Sequence, residues 1–129
     1  MSKTILHLED VEKWRVYVKT LFSEGYRVLQ VKEADEVVLI LEKESVDLAI
    51  IDHLVPGEKL ETGADAIKYM KKHFPEIPIV LFSGAWERTE YKDRDRVKKQ
   101  TGAVVVVFKV KEDPVKDDLK EQVETLIKE

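Results

Sequence analysis

Short apolar runs rich in β-branched residues recur along this chain of 129 residues, and most of the intervals between them carry apolar residues at helical spacing. The runs are Thr4 to Leu8, Tyr26 to Val31, Val46 to Ile51, Ile77 to Phe82 and Ala103 to Phe108. Each has strand length, and stretches as continuous as Leu48-Ala49-Ile50-Ile51 or Val104 to Val107 suit strands covered on both faces. Between them Val11, Trp14, Val18 and Leu21 step by three and four, as do Ile67, Met70 and Phe74, and as do Val115, Leu119, Val123 and Leu126. The second interval, Ala34 to Lys43, is apolar on more than one side at Val37 to Leu41, so spacing alone does not select its inward face. The fourth, Trp86 to Gln100, is dominated by charge and reads as a surface helix with a thin buried stripe.

Punctuation agrees with these boundaries. Gly25 ends the first helix, Phe74-Pro75 the third and Gly102 the fourth, while Asp113-Pro114 offers an N-cap followed by proline at the first helical position. Strands alternating with helices call for a parallel sheet joined by right-handed crossovers, with helices on both faces. The expected fold is therefore α/β, a single doubly wound parallel five-stranded sheet in the flavodoxin-like order 2-1-3-4-5. A length of 129 residues predicts one domain over residues 1–129, without room for an attached effector.

Composition removes several function classes. Cysteine is absent, which excludes disulfides, thiolate metal sites and cysteine nucleophiles. Lys and Arg number 22 against 26 Asp and Glu, a net charge of −4 that argues against a nucleic-acid-coating protein. The longest stretch without a charged residue, Ile77 to Trp86, is too short to span a membrane, and Glu9 and Asp10 interrupt any apolar leader. A soluble, cytoplasmic protein without membrane or direct nucleic-acid contact is expected.

In doubly wound sheets ligands bind at the carboxyl ends of the strands, near the switch point between strands 1 and 3. Strand 1 runs into Glu9-Asp10, strand 3 into Asp52, strand 4 into Ser83-Gly84 and strand 5 into Lys109. Any one of these residues alone reads as a helix cap, a turn or a surface charge. Together they place three carboxyl groups, a hydroxyl and an ammonium at one edge. Like charges at close range persist as anions only when a cation compensates them. An all-oxygen set without His or Cys favours a hard divalent ion, and Mg²⁺ is the natural candidate. Flanked by such an ion, Ser83 and Lys109, Asp52 is poised to accept a phosphoryl group, because its neighbours can neutralise the transferring oxygens.

This ordered set, across essentially the whole chain, resembles the receiver domains of two-component response regulators, typified by the bacterial chemotaxis regulator. Glu9 and Asp10 match the acidic pair after strand 1, Asp10 as a direct Mg²⁺ ligand and Glu9 mainly through water. Asp52, with Pro56 four residues on, matches the phosphorylated aspartate and its downstream proline. Ser83 and Gly84 match the hydroxyl residue and its small neighbour, and Lys109 the strand 5 lysine. The resemblance also implies the backbone carbonyl of Leu54 as a metal ligand. It implies autocatalytic transfer from a phosphohistidine on a sensor histidine kinase or phosphotransfer protein to Asp52, self-dephosphorylation, and a shift of the surface between strand 4 and helix 5. Such a receiver is a signalling phosphoacceptor rather than an enzyme, and without an attached effector it acts on a separate protein target, by homodimerisation or as a phosphate relay.

Three positions depart from the family pattern. Val106 stands where an aromatic residue is usual, Val110 where a proline follows the lysine, and Gly63 arrives late, as though Gly57 to Thr62 included extra residues. These departures motivate an alternative, a receiver-like interaction module that works without phosphorylation. Other classes fit less well. A haloacid-dehalogenase-like phosphatase needs an aspartate where Leu54 stands, and Glu9-Asp10-Val11-Glu12 is no hydroxyl-rich loop for a flavin phosphate. His7, His53 and His73 lack metal-ligand spacing. Trp86 reads as a partner contact or a cover for the thin stripe. The basic run from Arg88 to Lys99 is interleaved with acids and reads as a solvated face.

Overall fold

A computed structural model describes residues 2–52, 62–83, 105–108 and 114–127, without the side chains of residues 83, 106, 108 and 114–118. The elements in chain order are β1 (Lys3–Leu8), α1 (Glu12–Phe22), β2 (Tyr26–Val31), α2 (Ala34–Lys43), β3 (Leu48–Ile51), α3 (Gly63–His73), β4 (Ile79–Ser83), β5 (Val105–Phe108) and α4 (Pro114–Ile127). All strand pairs are parallel and the order is β2-β1-β3-β4-β5, as the alternation of strands and helices predicts. The surface helix expected over 86–100 lies outside the described residues.

Alternation along each strand divides the core into two layers. Leu6, Leu8, Ala49, Ile51, Ile79 and Leu81 face Ala34, Val37 and Leu41 of α2 and Ala66, Ile67 and Met70 of α3. On the other side Ile5, Leu48, Ile50, Val80, Phe82 and Val107 pack against Val18 and Phe22 of α1 and Leu119, Val123 and Ile127 of α4. The inward face of α2, ambiguous in the sequence, is the stripe Ala34, Val37 and Leu41, while Leu39 is 53% exposed. The stripe of α1 departs from expectation at its start. Val11 is 46% exposed because it is the N-cap, in extended backbone outside the first turn, and burial shifts to Val18 and Phe22.

Strand limits follow local hydrogen bonding. β3 begins two residues after the apolar run does, because Asp47 donates its N–H to the Thr4 carbonyl at 2.9 Å and its carboxylate accepts the Thr4 N–H at 2.8 Å. A side chain thereby takes over one acceptor of the ladder. β4 starts after Pro78, which has no N–H to give but accepts from Ala49 at 3.0 Å. The capping box of α3 pairs Thr62 with Asp65, fixing the helix start at Gly63. Gly25, at φ 102°, turns the chain from α1 into β2.

Two substitutions test this account. Phe82 is fully buried, with its ring 5.5 Å from Trp14 edge-on and 6.3 Å from Tyr17 in a stacked arrangement. Phe82→Ala should lower the unfolding free energy by about 3–5 kcal/mol in urea titration. At Gly25 a Cβ would meet nothing within 4 Å, so Gly25→Ala should cost only the backbone term of about 1–2 kcal/mol.

Candidate functional site

The parallel pairing of β1 with both β2 and β3 continues past the strand ends and sets the site. The Glu9 N–H donates to the Val31 carbonyl at 3.0 Å, and the Asp52 N–H donates to the Leu8 carbonyl at 3.1 Å. With Leu8 in register with Ile51, Glu9 and Asp52 emerge side by side from the two central strands. By alternation each continues the layer that faces α1 and α4, Glu9 from Ile5 and Asp52 from Ile50.

Glu9, Asp10 and Asp52 each offer a carboxylate oxygen, and the three atoms lie within 4.8 Å of one another. Glu9 is fully buried, Asp52 is 7% exposed and Asp10 is open to solvent. The three carboxylates are thus graded in burial from Glu9 through Asp52 to Asp10. The Glu9 carboxylate also accepts the Val11 N–H at 3.2 Å, which serves the amino end of α1 where Val11 has no capping side chain of its own. Three oxygen donors of one sign, two of them withdrawn from water, fit a hard divalent cation. Among the described residues this grouping contains no His, in keeping with the all-oxygen reading.

The fourth strand reaches the same edge. Leu81 is in register with Ile51, so the backbone of Ser83 stands one residue beyond the level of Asp52, and Ser83 pairs with Phe108 of β5. Lys109 follows Phe108 directly in the sequence but, like Leu54, Pro56, Gly84 and Val110, lies outside the described residues. His53 and Trp86 lie outside them too. The remaining histidines sit apart from each other: His7 is buried within β1, and His73 ends α3 with its ring 4.5 Å from that of Tyr69.

The response regulator receiver domain model matches residues 5–123. The chain belongs to the response regulator receiver family. Its fold is that of known receivers. A signal receiver domain of an HD domain-containing protein from Pseudomonas fluorescens Pf-5 superposes with a TM-score of 0.80 over 99% of this chain and 96% of the other, at 16% identity. A CheY-like response regulator receiver domain protein from Methanospirillum hungatei JF-1 gives 0.78 over 99% and 95%, at 21% identity. The hydrogenase transcriptional regulatory protein HoxA of Cupriavidus necator is 30% identical over 81 residues, which cover 63% of this chain and 16% of that protein. Receivers are the phosphoacceptor domains of two-component signalling, partners of histidine kinases or phosphotransfer proteins. Among the described residues, no helix of this receiver is long and apolar enough to cross a membrane.

Sequence reasoning missed the polar residues that brace the receiver's acidic loop. Gln30, within the apolar run of β2, donates from its side-chain nitrogen to the Arg15 carbonyl at 2.7 Å and lies 3.1 Å from His7 Nδ1. Arg15 in turn donates from Nη1 to the Glu9 carbonyl at 3.1 Å. The available signal was a polar residue at the same level toward the carboxyl end of each of two adjacent strands, since His7 and Gln30 are in register. Like-charge crowding among the three carboxylates gives a direct test. In EDTA, Asp10→Asn should melt about 2 °C above the wild type, because it removes one of three mutually repelling charges. A lower melting temperature would show that repulsion does not dominate there.

Proposed function

We propose that this receiver accepts a phosphoryl group on Asp52 from the phosphohistidine of a sensor kinase or phosphotransfer protein, in a Mg²⁺-dependent reaction. The observation that supports this reading is the meeting of three carboxylate oxygens within 4.8 Å at the switch point of a receiver fold, with Asp52 at the end of a buried central strand. Glu9, Asp10, Asp52 and the Leu54 carbonyl would hold the ion, Glu9 mainly through water. When bound, Mg²⁺ supplies positive charge to the equatorial oxygens of the transferring group.

Asp52 is the nucleophile. One carboxylate oxygen forms a bond to phosphorus while the phosphorus–nitrogen bond to the donor histidine breaks, and the imidazole leaves with the bonding pair and takes up a proton. The product is an acyl phosphate on Asp52, and attack by water at phosphorus later breaks its bond to the carboxylate oxygen, releasing inorganic phosphate and restoring the carboxylate. Ser83 donates its hydroxyl to a phosphoryl oxygen, and the Lys109 ammonium pairs with the phosphoryl group or with Asp52. Burial of Asp52 and Glu9 limits the dielectric around the developing charge, which strengthens each of these contacts. The chemistry is confined to the domain's own phosphorylation and dephosphorylation, and the output is a change in the protein contacts that the phosphorylated domain makes.

Acetyl phosphate with Mg²⁺ should place one phosphoryl group on the wild type by intact-protein mass spectrometry. Asp52→Asn should remain unmodified, as should the wild type in EDTA. A wild type without adduct, paired with target binding that Asp52→Asn leaves intact, would instead establish a phosphorylation-independent interaction module, the reading that Val106 and Val110 favour.

A further inference from the structure

The hydrogen bonds around Glu9 form a connected strut from the sheet through α1 to the acidic loop. An amide nitrogen only donates, so the contact between Gln30 Nε2 and His7 Nδ1 makes Nδ1 the acceptor and puts the His7 ring proton on Nε2. The second hydrogen of the same amide goes to the Arg15 carbonyl at 2.7 Å, which ties the first turn of α1 to β2. Arg15 reaches back from this anchored turn, where its own N–H meets the Val11 carbonyl at 3.1 Å, and donates to the Glu9 carbonyl. Glu9 is thus held at three points: its N–H by Val31, its carbonyl by Arg15 and its carboxylate by the Val11 N–H.

We propose that Arg15, anchored by Gln30, is a positioning residue that aims the Glu9–Asp10 pair toward the cation. A trans peptide is planar, with its carbonyl and N–H pointing in opposite directions. Fixing the Glu9 carbonyl on the guanidinium therefore fixes the plane of the Glu9–Asp10 peptide and the direction in which Asp10 leaves the chain. This matters most for Asp10, which is the exposed member of the three carboxylates and has the least packing to orient it. The role rests on the Mg²⁺ reading above and goes beyond it by naming what orients the ligands.

Simple electrostatics predicts the opposite effect of the same residue. A guanidinium on the Glu9 carbonyl brings positive charge to the acidic loop and lowers its attraction for a second cation, so removing it should tighten Mg²⁺ binding. Positioning predicts weaker binding in spite of that gain. The two are separated by calorimetric Mg²⁺ titration at fixed ionic strength of the wild type, Arg15→Met, Arg15→Lys and Gln30→Met, with melting curves in EDTA. Arg15→Met should raise the Mg²⁺ Kd about tenfold, the scale typical of groups that orient metal ligands. Arg15→Lys, which keeps a donor, should recover most of the affinity, and Gln30→Met, which removes no charge, should weaken binding in the same direction. Arg15→Met binding Mg²⁺ as tightly as the wild type or more tightly overturns the proposal, including the case in which only its melting temperature falls. Should Arg15→Met not fold, wild-type affinity in Gln30→Met overturns it. A wild type that binds no Mg²⁺ overturns the metal reading itself, a result distinct from equal binding by wild type and variants.

Discussion

Strands β1 and β3 are not consecutive in the chain, yet they lie side by side at the centre of the sheet, and the site depends on that pairing. A crossover through β2 and its helices places the end of β3 next to the end of β1, and the bond from the Asp52 N–H to the Leu8 carbonyl sets their relative height. A shift of one residue in this register would turn Asp52 toward α2 and α3 and leave Glu9 without its neighbour. The register is held by the side chains below, because both central strands are buried on both faces.

That packing also explains how three like charges can stand together. Their mutual repulsion opposes folding locally. The two apolar layers and the backbone ladder supply the stability that keeps the edge in place, so the site is imposed by the fold. Arg15 and Gln30 extend the same logic to the loop. Backbone pairing ends after Glu9, and from there side chains of α1 and β2 take over the task of fixing direction.

Much of the fold was legible because strand and helix periodicities are local and amphipathic. The run Tyr26 to Val31 and the helix Ala34 to Lys43 coincide with β2 and α2. Boundaries were less legible where a side chain or a proline altered the ladder, as Asp47 does before β3 and Pro78 before β4. The acidic triplet was legible from strand ends plus topology, since Glu9, Asp10 and Asp52 do converge. Gln30 and Arg15 were not, because a polar residue in an apolar run acquires its meaning only from the partner that reaches it.

The sequence by itself determined that strands and helices alternate, that the sheet is parallel and covered on both faces, and that acidic residues follow its two central strands. These follow from the spacing of apolar residues, which neighbouring positions in the chain express directly. Only the tertiary structure decided that Val11 faces solvent, that α2 buries Ala34, Val37 and Leu41, and that His7, Gln30, Arg15 and Glu9 form one hydrogen-bonded strut. Hydrogen bonds between residues far apart in the chain depend on distances of about 3 Å, and chain periodicity carries no information at that scale.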